Sequence, residues 1–444
     1  PAMGRLFGTD GVRGVFGSDL TTHLARSLGR AAVDVLARDR HHAPAFVIGR
    51  DTRESGPVLE DALVEGIVSA GGDAIRAGVV PTPAVAFLTI EFGVDSGVVI
   101  SASHNPPEDN GIKFFGFRGF KLSDRLEDEI ESEFAAGGGS NGLAGRERPM
   151  PVDPSRYLDH VVVAAEARLD GMRVVVDCGN GAASAFAPAA LERLGAEVLA
   201  LNAEADGSRV NVDSGALYPE VVAEAVAAEG ADAGVAFDGD ADRALFADAD
   251  GEVIDGDQVL AACAAAMQED GTLTGDTVVA TVMSNLGFHR AMRERGISVI
   301  SAPVGDRYVL EQMLEHQVAL GGEQSGHVIF RDQATTGDGL ITAVRFLSLA
   351  ARRDVSVREL AAVMRRFPQV LVNVEVAHKE RLEQADEIWQ AVREQESRLN
   401  GSGRVLVRAS GTEPTVRVMV EAETEETARE HAEAVAKHVA SALA

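Results

Sequence analysis

Short apolar runs that stop abruptly at polar, glycine-containing turns recur along this chain, and they leave few folds open to it. Residues 45–48 run into Gly49-Arg50-Asp51-Thr52-Arg53, and residues 97–100 into Ser101-Ala102-Ser103-His104-Asn105-Pro106-Pro107. Residues 172–177 run into Cys178-Gly179-Asn180-Gly181, and residues 233–237 into Asp238-Gly239-Asp240-Ala241-Asp242-Arg243. Continuous apolar runs of this length read as strands buried on both faces, and helical stretches between them supply the cover. The class is therefore α/β, with chemistry expected where strands end.

Helices are expected over 21–37, 56–69, 123–134, 156–164, 186–194, 221–229, 258–267, 287–295, 340–351 and 357–365. Beyond Phe367-Pro368 the character changes. Strands over 370–376, 404–409 and 415–421, with helices over 379–394 and 425–440, make an α+β unit. A chain of 444 residues suits several domains. The breaks give 1–154, 155–255 and 256–368 as three coarsely repeated α/β units, and 369–444 as the last. Residues 137–142 read as a glycine-rich mobile loop before the first boundary.

The formal net charge of -28 argues against nucleic acid as a partner, which needs concentrated Lys and Arg. A small phosphorylated molecule needs only a local basic pocket. Two cysteines, Cys178 and Cys263, in small and apolar surroundings suggest buried thiols in a reducing compartment, hence the cytoplasm. No run of eighteen apolar residues occurs and no signal peptide opens the chain, so no membrane partner is expected. Pro1-Ala2 before Met3 reads as an expression remnant.

The strongest local pattern is Asp238, Asp240 and Asp242. Three carboxylates spaced by two repel one another and raise one another's pKa, a penalty that a bound divalent cation removes. Oxygen-only ligands favour a hard ion, Mg²⁺ when a phosphate supplies a further oxygen. Arg243 is placed to reach that phosphate; an acidic surface turn is the plainer reading. In the 101–107 turn, Ser103 beside His104 suggests a serine that receives an acyl or phosphoryl group, although a simple turn at Asn105-Pro106 fits locally too. Lys113 follows, either balancing phosphate charge or merely exposed on a strand. Near the N-terminus, Gly8, Gly11 and Gly14 flank Arg13, an anion cradle or a plain glycine turn. Gly322-Glu323-Gln324-Ser325-Gly326-His327 offers Glu323 and Ser325 to sugar hydroxyls or an amine and His327 as a proton carrier, or is only a polar hairpin turn. Residues 335–339 are read first as a helix cap. Arg408, Ser410, Gly411 and Thr412, with Arg417 beyond, make a phosphate cradle of arginines, hydroxyls and free N–H groups.

These four motifs, 101–106, 238–243, 322–327 and 408–414, stand in the order seen in the α-D-phosphohexomutase family, which the chain resembles over essentially its full length. The opening Gly8-Thr9-Asp10-Gly11-Val12-Arg13-Gly14 and Gln324 resemble the bacterial branch that acts on glucosamine phosphates. The resemblance implies four domains around a central cleft, three alike and a smaller fourth. It implies Ser103, rather than Ser101, as the phosphoserine, and Asp238, Asp240 and Asp242 with the Ser103 phosphate as ligands of one Mg²⁺. It implies Glu323 and Ser325 on the sugar, and Arg408, Ser410, Gly411, Thr412 and Arg417 on a distal phosphate. Arg13, His104, Lys113 and His327 fall where the family carries catalytic and proton-transfer residues. The implied substrate is a phosphorylated amino sugar, with glucosamine 1,6-bisphosphate as intermediate or activator, and the implied assembly is a homodimer. A glucose or mannose phosphate mutase, a phosphosugar phosphatase and a silent sugar-phosphate sensor are the competing readings.

Overall fold

The computed structural model describes residues 5–444 apart from 9, 39–41, 138–144, 151, 152, 154 and 411–413. The glycine-rich stretch 138–142, Gly411, Thr412 and the first four residues thus lie outside the described residues. Two compact units emerge. One holds residues 1–283 and 297–363, and the other 284–296 and 364–444.

The first unit contains three sheets. Strands β1 (Val12–Val15), β2 (Ala45–Arg50), β3 (Asp73–Val79), β4 (Ser96–Ile100) and β5 (Asp109–Gly116) lie in the order β1-β5-β4-β2-β3. Strands β6 (Arg173–Asp177), β7 (Glu197–Leu201), β8 (Ala233–Phe237), β9 (Ala244–Asp248) and β10 (Val253–Ile254) lie in the order β10-β9-β8-β6-β7. Strands β11 (Thr277–Thr281), β12 (Ser298–Ala302), β13 (Leu320–Gly322) and β14 (Val328–Phe330) lie in the order β12-β11-β13-β14.

One wiring rule runs through all three. A first strand pairs in parallel with the next two, and the third turns back antiparallel into a fourth: β2 with β3 and β4, then β5; β6 with β7 and β8, then β9; β11 with β12 and β13, then β14. Parallel neighbours need a crossover, which the intervening helices supply. The turn from the third strand to the fourth is 101–108 in the first sheet, 238–243 in the second and 323–327 in the third. The three motifs of the first unit therefore occupy one equivalent position, repeated three times.

Burial follows the apolar runs. Strands β4, β8 and β9 are buried at every residue, as sequences that are small and apolar apart from Ser96 and the terminal Asp248 favour. In the first domain the helices Thr22–Ala37 and Gly56–Ser69 cross closely: a Cβ on Gly66 would lie 2.0 Å from Arg26 O, and one on Gly29 2.6 Å from Leu63 O. Among the described residues no helix is long and apolar enough to cross a membrane.

The second unit is a three-stranded antiparallel sheet of β15 (Gln369–Glu375), β16 (Gly403–Ala409) and β17 (Thr415–Ala422), in the order β15-β17-β16. Helices Asp386–Leu399 and Glu425–Ala442 share its apolar core. The helix Leu286–Glu294, which in sequence belongs between β11 and β12, groups with this unit. Glu421, fully buried on β17, accepts from Leu286 N at 2.9 Å and Asn285 Nδ2 at 3.3 Å, and pairs with Arg404 Nε at 2.7 Å.

Two expected elements differ. The helix expected over 379–394 is broken at Ala385, where ψ of 79° leaves the helical region between a 3₁₀ turn, Lys379–Gln384, and the helix Asp386–Leu399. The helix expected over 357–365 stops at Ala361, with Ala362 as its C-cap.

Candidate functional site

Ser101 and Ser103 are separated by their partners. The Ser101 hydroxyl donates to Asp51 Oδ2 at 2.6 Å and accepts from Ser103 N at 2.9 Å. The Ser103 hydroxyl donates to Asp238 Oδ2 at 2.7 Å and lies 3.3 Å from His104 Nδ1. Ser103 has φ of 51°, in the left-handed region, which costs a non-glycine residue about 1 kcal/mol or more. Arg53, wholly buried, holds the turn: it donates to the carbonyls of Ser103 (3.0 Å), Asn105 (2.7 Å), Asp109 (2.8 Å) and Pro106, and pairs with Asp51 at 2.9 Å.

Asp238, Asp240 and Asp242 are all buried, and each offers an oxygen within 4.8 Å of the others. Burial, and then the charges of Asp242 and Asp240, push the Asp238 carboxyl well above its usual range. Asp240 Oδ2 accepts from Thr82 Oγ1 at 2.7 Å and Lys113 Nζ at 3.1 Å. Asp240 Oδ1 and Asp242 Oδ1 are buried with no hydrogen-bond partner among the described residues. Oxygens left unsatisfied inside a cluster of hard anionic donors fit a divalent cation.

A cavity of about 400 Å³ opens beside this cluster, lined by residues of all three sheets' turns. Arg13, His104 and Arg243 face Glu323, Ser325 and His327 across it. Arg13 Nε, Arg243 Nε and Ser325 Oγ are buried there without hydrogen-bond partners among the described residues, Arg243 Nε lying 3.8 Å from Asp242 Oδ1, so donors suited to phosphate and hydroxyl oxygens stand ready. Glu323 Oε1 accepts from Gly305 N at 3.1 Å. The Glu323–His327 turn is indeed the tip of the β13–β14 hairpin, yet its polar side chains line the cavity. Gln324 Nε2 reaches Asp255 Oδ2 at 3.3 Å.

Charged groups are strung through the buried side of this cavity. Lys113 Nζ sits 3.0 Å from Asp10 Oδ2 and 3.1 Å from Asp240 Oδ2. Burial pulls its pKa down, but Asp10 and Asp240 outweigh it and raise it. Lys121 bridges Asp10 and Asp306. His327 Nε2 accepts from Gly337 N at 3.2 Å, which in the neutral ring leaves the proton on Nδ1, 3.6 Å from Asp242 Oδ2. Burial pushes the His104 pKa down to about 4, helped by Arg243 and Arg13, so its ring is neutral at pH 7.

In the second unit Arg408 and Arg417 are direct cross-strand partners on β16 and β17. Ser410 N donates to Thr415 O at 2.8 Å, and Lys379 Nζ to Ser410 O at 2.8 Å, closing the base of the loop whose tip, Gly411 and Thr412, lies outside the described residues.

Asp10, Asp51, Arg53, Thr82, Lys121 and Asp306 carry no role in the sequence-based reading, yet all join this network. For Asp51 and Arg53 a signal existed: they end β2 as Ser101 ends β4. Nothing local marks Lys121, and although Asp10 sits in the 8–14 opening, its meeting with Lys121 depends on how the first domain folds back.

Four family models match in succession: phosphoglucomutase/phosphomannomutase domain I over 4–139, domain II over 155–251, domain III over 255–367 and the C-terminal domain over 371–438. A phosphoglucosamine mutase of Frankia alni is 51 % identical, with 99 % of each chain covered. One of Saccharopolyspora erythraea is 52 % identical over 99 % of this chain and 100 % of its own. A crystal structure of a phosphoglucomutase/phosphomannomutase family protein from Burkholderia thailandensis superposes with a TM-score of 0.83 at 27 % identity, covering 99 % of this chain and 97 % of that one. With three α/β/α domain models and a C-terminal one matched in succession between residues 4 and 438, the chain belongs to the α-D-phosphohexomutase superfamily, in its phosphoglucomutase/phosphomannomutase family.

Proposed function

We propose that this chain is a phosphoglucosamine mutase, interconverting D-glucosamine 6-phosphate and D-glucosamine 1-phosphate with Ser103 as phosphate carrier. The observation that carries this reading is the Ser103 hydroxyl, held 2.7 Å from Asp238 within a buried three-carboxylate cluster at the edge of a cavity. The full-length relatives named phosphoglucosamine mutase support the choice of sugar.

Phosphorylated Ser103 donates its phosphoryl group to the free sugar oxygen. The Oγ–P bond breaks as the sugar O–P bond forms, and the displaced sugar proton leaves to a nearby base. The product is glucosamine 1,6-bisphosphate, whose other phosphate then returns to Ser103. Asp238, Asp240 and Asp242, with an oxygen of the Ser103 phosphate, would hold one Mg²⁺, which when bound offsets charge on the transferring group. Arg13 and Arg243 present to phosphate oxygens Nε–H donors that make no hydrogen bond among the described residues. Lys113, fixed between two carboxylates with a raised pKa, serves as a constant positive charge rather than a base. His104, neutral and 3.3 Å from Ser103 Oγ, and His327 are the proton carriers. Glu323 and Ser325 grip the sugar. Arg408, Ser410 and Arg417, with Gly411 and Thr412, take the idle phosphate. A cytoplasmic homodimer completes the reading, and sedimentation equilibrium tests the dimer.

A coupled mutase assay on glucosamine 6-phosphate, with and without a hexose 1,6-bisphosphate, decides it. Turnover, together with intact protein one phosphate heavier at Ser103, is expected. Full activity in Ser103→Ala, or preference for glucose or mannose 1-phosphate, would overturn it.

A further inference from the structure

The turn that carries Ser103 is gripped from two sides. The carbonyls of Ser103 and Asn105 accept from Arg53 Nη2, as described above, and the same two carbonyls accept from Asn211 Nδ2, at 2.8 and 3.1 Å. Arg53 follows β2 in the first domain; Asn211 lies in the 202–218 stretch of the second, between β7 and the helix Pro219–Glu229. Only the NH₂ end of an asparagine can serve two carbonyls, which fixes how this amide faces. The stretch that presents it is itself anchored, with Asn211 N donating to Gly179 O at 3.0 Å and Asn211 in the left-handed region at φ of 61°. Gly239 makes the room: a Cβ there would lie 2.8 Å from Ser103 O and 3.0 Å from Asn211 Nδ2.

The consequence falls on Ser103, whose φ of 51° most residues avoid. Its carbonyl is bound on both sides, so the peptide plane that follows it cannot rotate, and the hydroxyl is kept on Asp238. Without the Asn211 amide the carbonyl would be held by Arg53 alone, from one side, leaving the residue freer to relax toward negative φ and move Oγ off Asp238. We propose that Asn211 is a positioning residue for the phosphate-carrying serine: an amide from the second domain, acting through the Ser103 carbonyl, holds the strained conformation in which Oγ meets the carboxylate cluster. Asn211 is not assigned to the reacting atoms. The inference rests on Ser103 being the carrier and adds which residue aims it.

The test begins with the unaltered chain, because absent turnover there would remove the carrier reading before Asn211 is considered. With an active enzyme in hand, Asn211→Gly keeps the left-handed backbone while deleting the donor, and Asn211→Asp keeps the shape while losing the N–H groups. Asp213→Gly, at an exposed left-handed position of the same stretch (φ of 44°), is the control. The measurements are the rate of Ser103 phosphorylation by a hexose 1,6-bisphosphate, read by intact mass, together with kcat, KM and thermal midpoint. Loss of the grip should slow phosphorylation and kcat roughly 10- to 100-fold, with KM held within about twofold, as expected for a small misplacement of a reacting group. Asp213→Gly should match the unaltered enzyme. An unchanged kcat in Asn211→Gly, with only the thermal midpoint lowered, would show the contact to be structural and overturn the proposal. Should both Asn211 variants fail to fold, hydrogen exchange in the unaltered chain decides: the Ser103 and Asn105 amides should exchange as slowly as those of β4, and free-loop rates would overturn it.

Discussion

Asp338 illustrates what a single buried carboxyl does in this chain. Its side chain caps the helix Gly339–Arg353 by accepting from Ile341 N at 2.9 Å, and it accepts from Tyr157 OH at 2.9 Å. Burial nevertheless outweighs these bonds and pushes its pKa up to about 6. The folded state therefore binds a proton more tightly than the unfolded one, and stability falls as pH rises from about 4 through about 6, then levels off. Asparagine caps as well as aspartate and carries no charge to bury. Asp338→Asn should remove this part of the slope and stabilise the protein at pH 7 by up to about 3 kcal/mol. Urea midpoints of both proteins between pH 4 and 7 test it; a parallel pH slope in the variant would refute the assignment. The residue scale is also where the two serines of the 101–107 turn part company. Their local sequences offer the same hydroxyl, but Ser101 is consumed by Asp51 and the Ser103 amide, while Ser103 faces Asp238.

Elements in this chain were legible where one force governs them. The helix Gly56–Ser69 and the strand Ala233–Phe237 lie where apolar spacing and flanking turns put them. The helix expected over 379–394 did not survive intact, because its charged sequence has good propensity throughout and only packing decides where it breaks. The close crossing of the first two helices is likewise invisible in sequence, since Gly66 reads as a small residue within an apolar helix. A methyl group there would meet Arg26 O at 2.0 Å, a backbone atom that cannot swing away. Gly66→Ala should therefore destabilise the chain by about 1–3 kcal/mol, as overpacking does, despite the better helix propensity of alanine. A urea midpoint equal to or above that of the unaltered chain would show that the helices separate freely.

At the scale of the whole molecule, the last compact unit takes in residues from outside the stretch 369–444. That unit includes 284–296 and 364–368, and from them Asn285 and Leu286 supply two of the donors to buried Glu421. An excised 369–444 fragment keeps Arg404 but loses both, leaving a buried carboxylate under-satisfied at a cost of about 1–3 kcal/mol. Trp389 is the only tryptophan and lies in this unit, so its fluorescence reports this unit's unfolding even in the intact chain. The fragment should unfold at a lower denaturant concentration than the tryptophan transition of the intact protein; coincident midpoints would show that the helix Leu286–Glu294 is dispensable.

By itself the sequence determined the alternation of strand, polar turn and helix, the three aspartates at a spacing of two, and the motifs that mark the superfamily. These are local properties, fixed by residues within a few positions of one another. Only the tertiary structure decided that the Ser103 hydroxyl reaches Asp238 while Ser101 is taken up by Asp51, that Lys113 is locked between Asp10 and Asp240, and that Arg53 and Asn211 hold the same two carbonyls. Those partners lie from about 50 to more than 120 residues apart, and what joins them is a strand wiring repeated three times, which brings distant turns to one place without leaving a local trace.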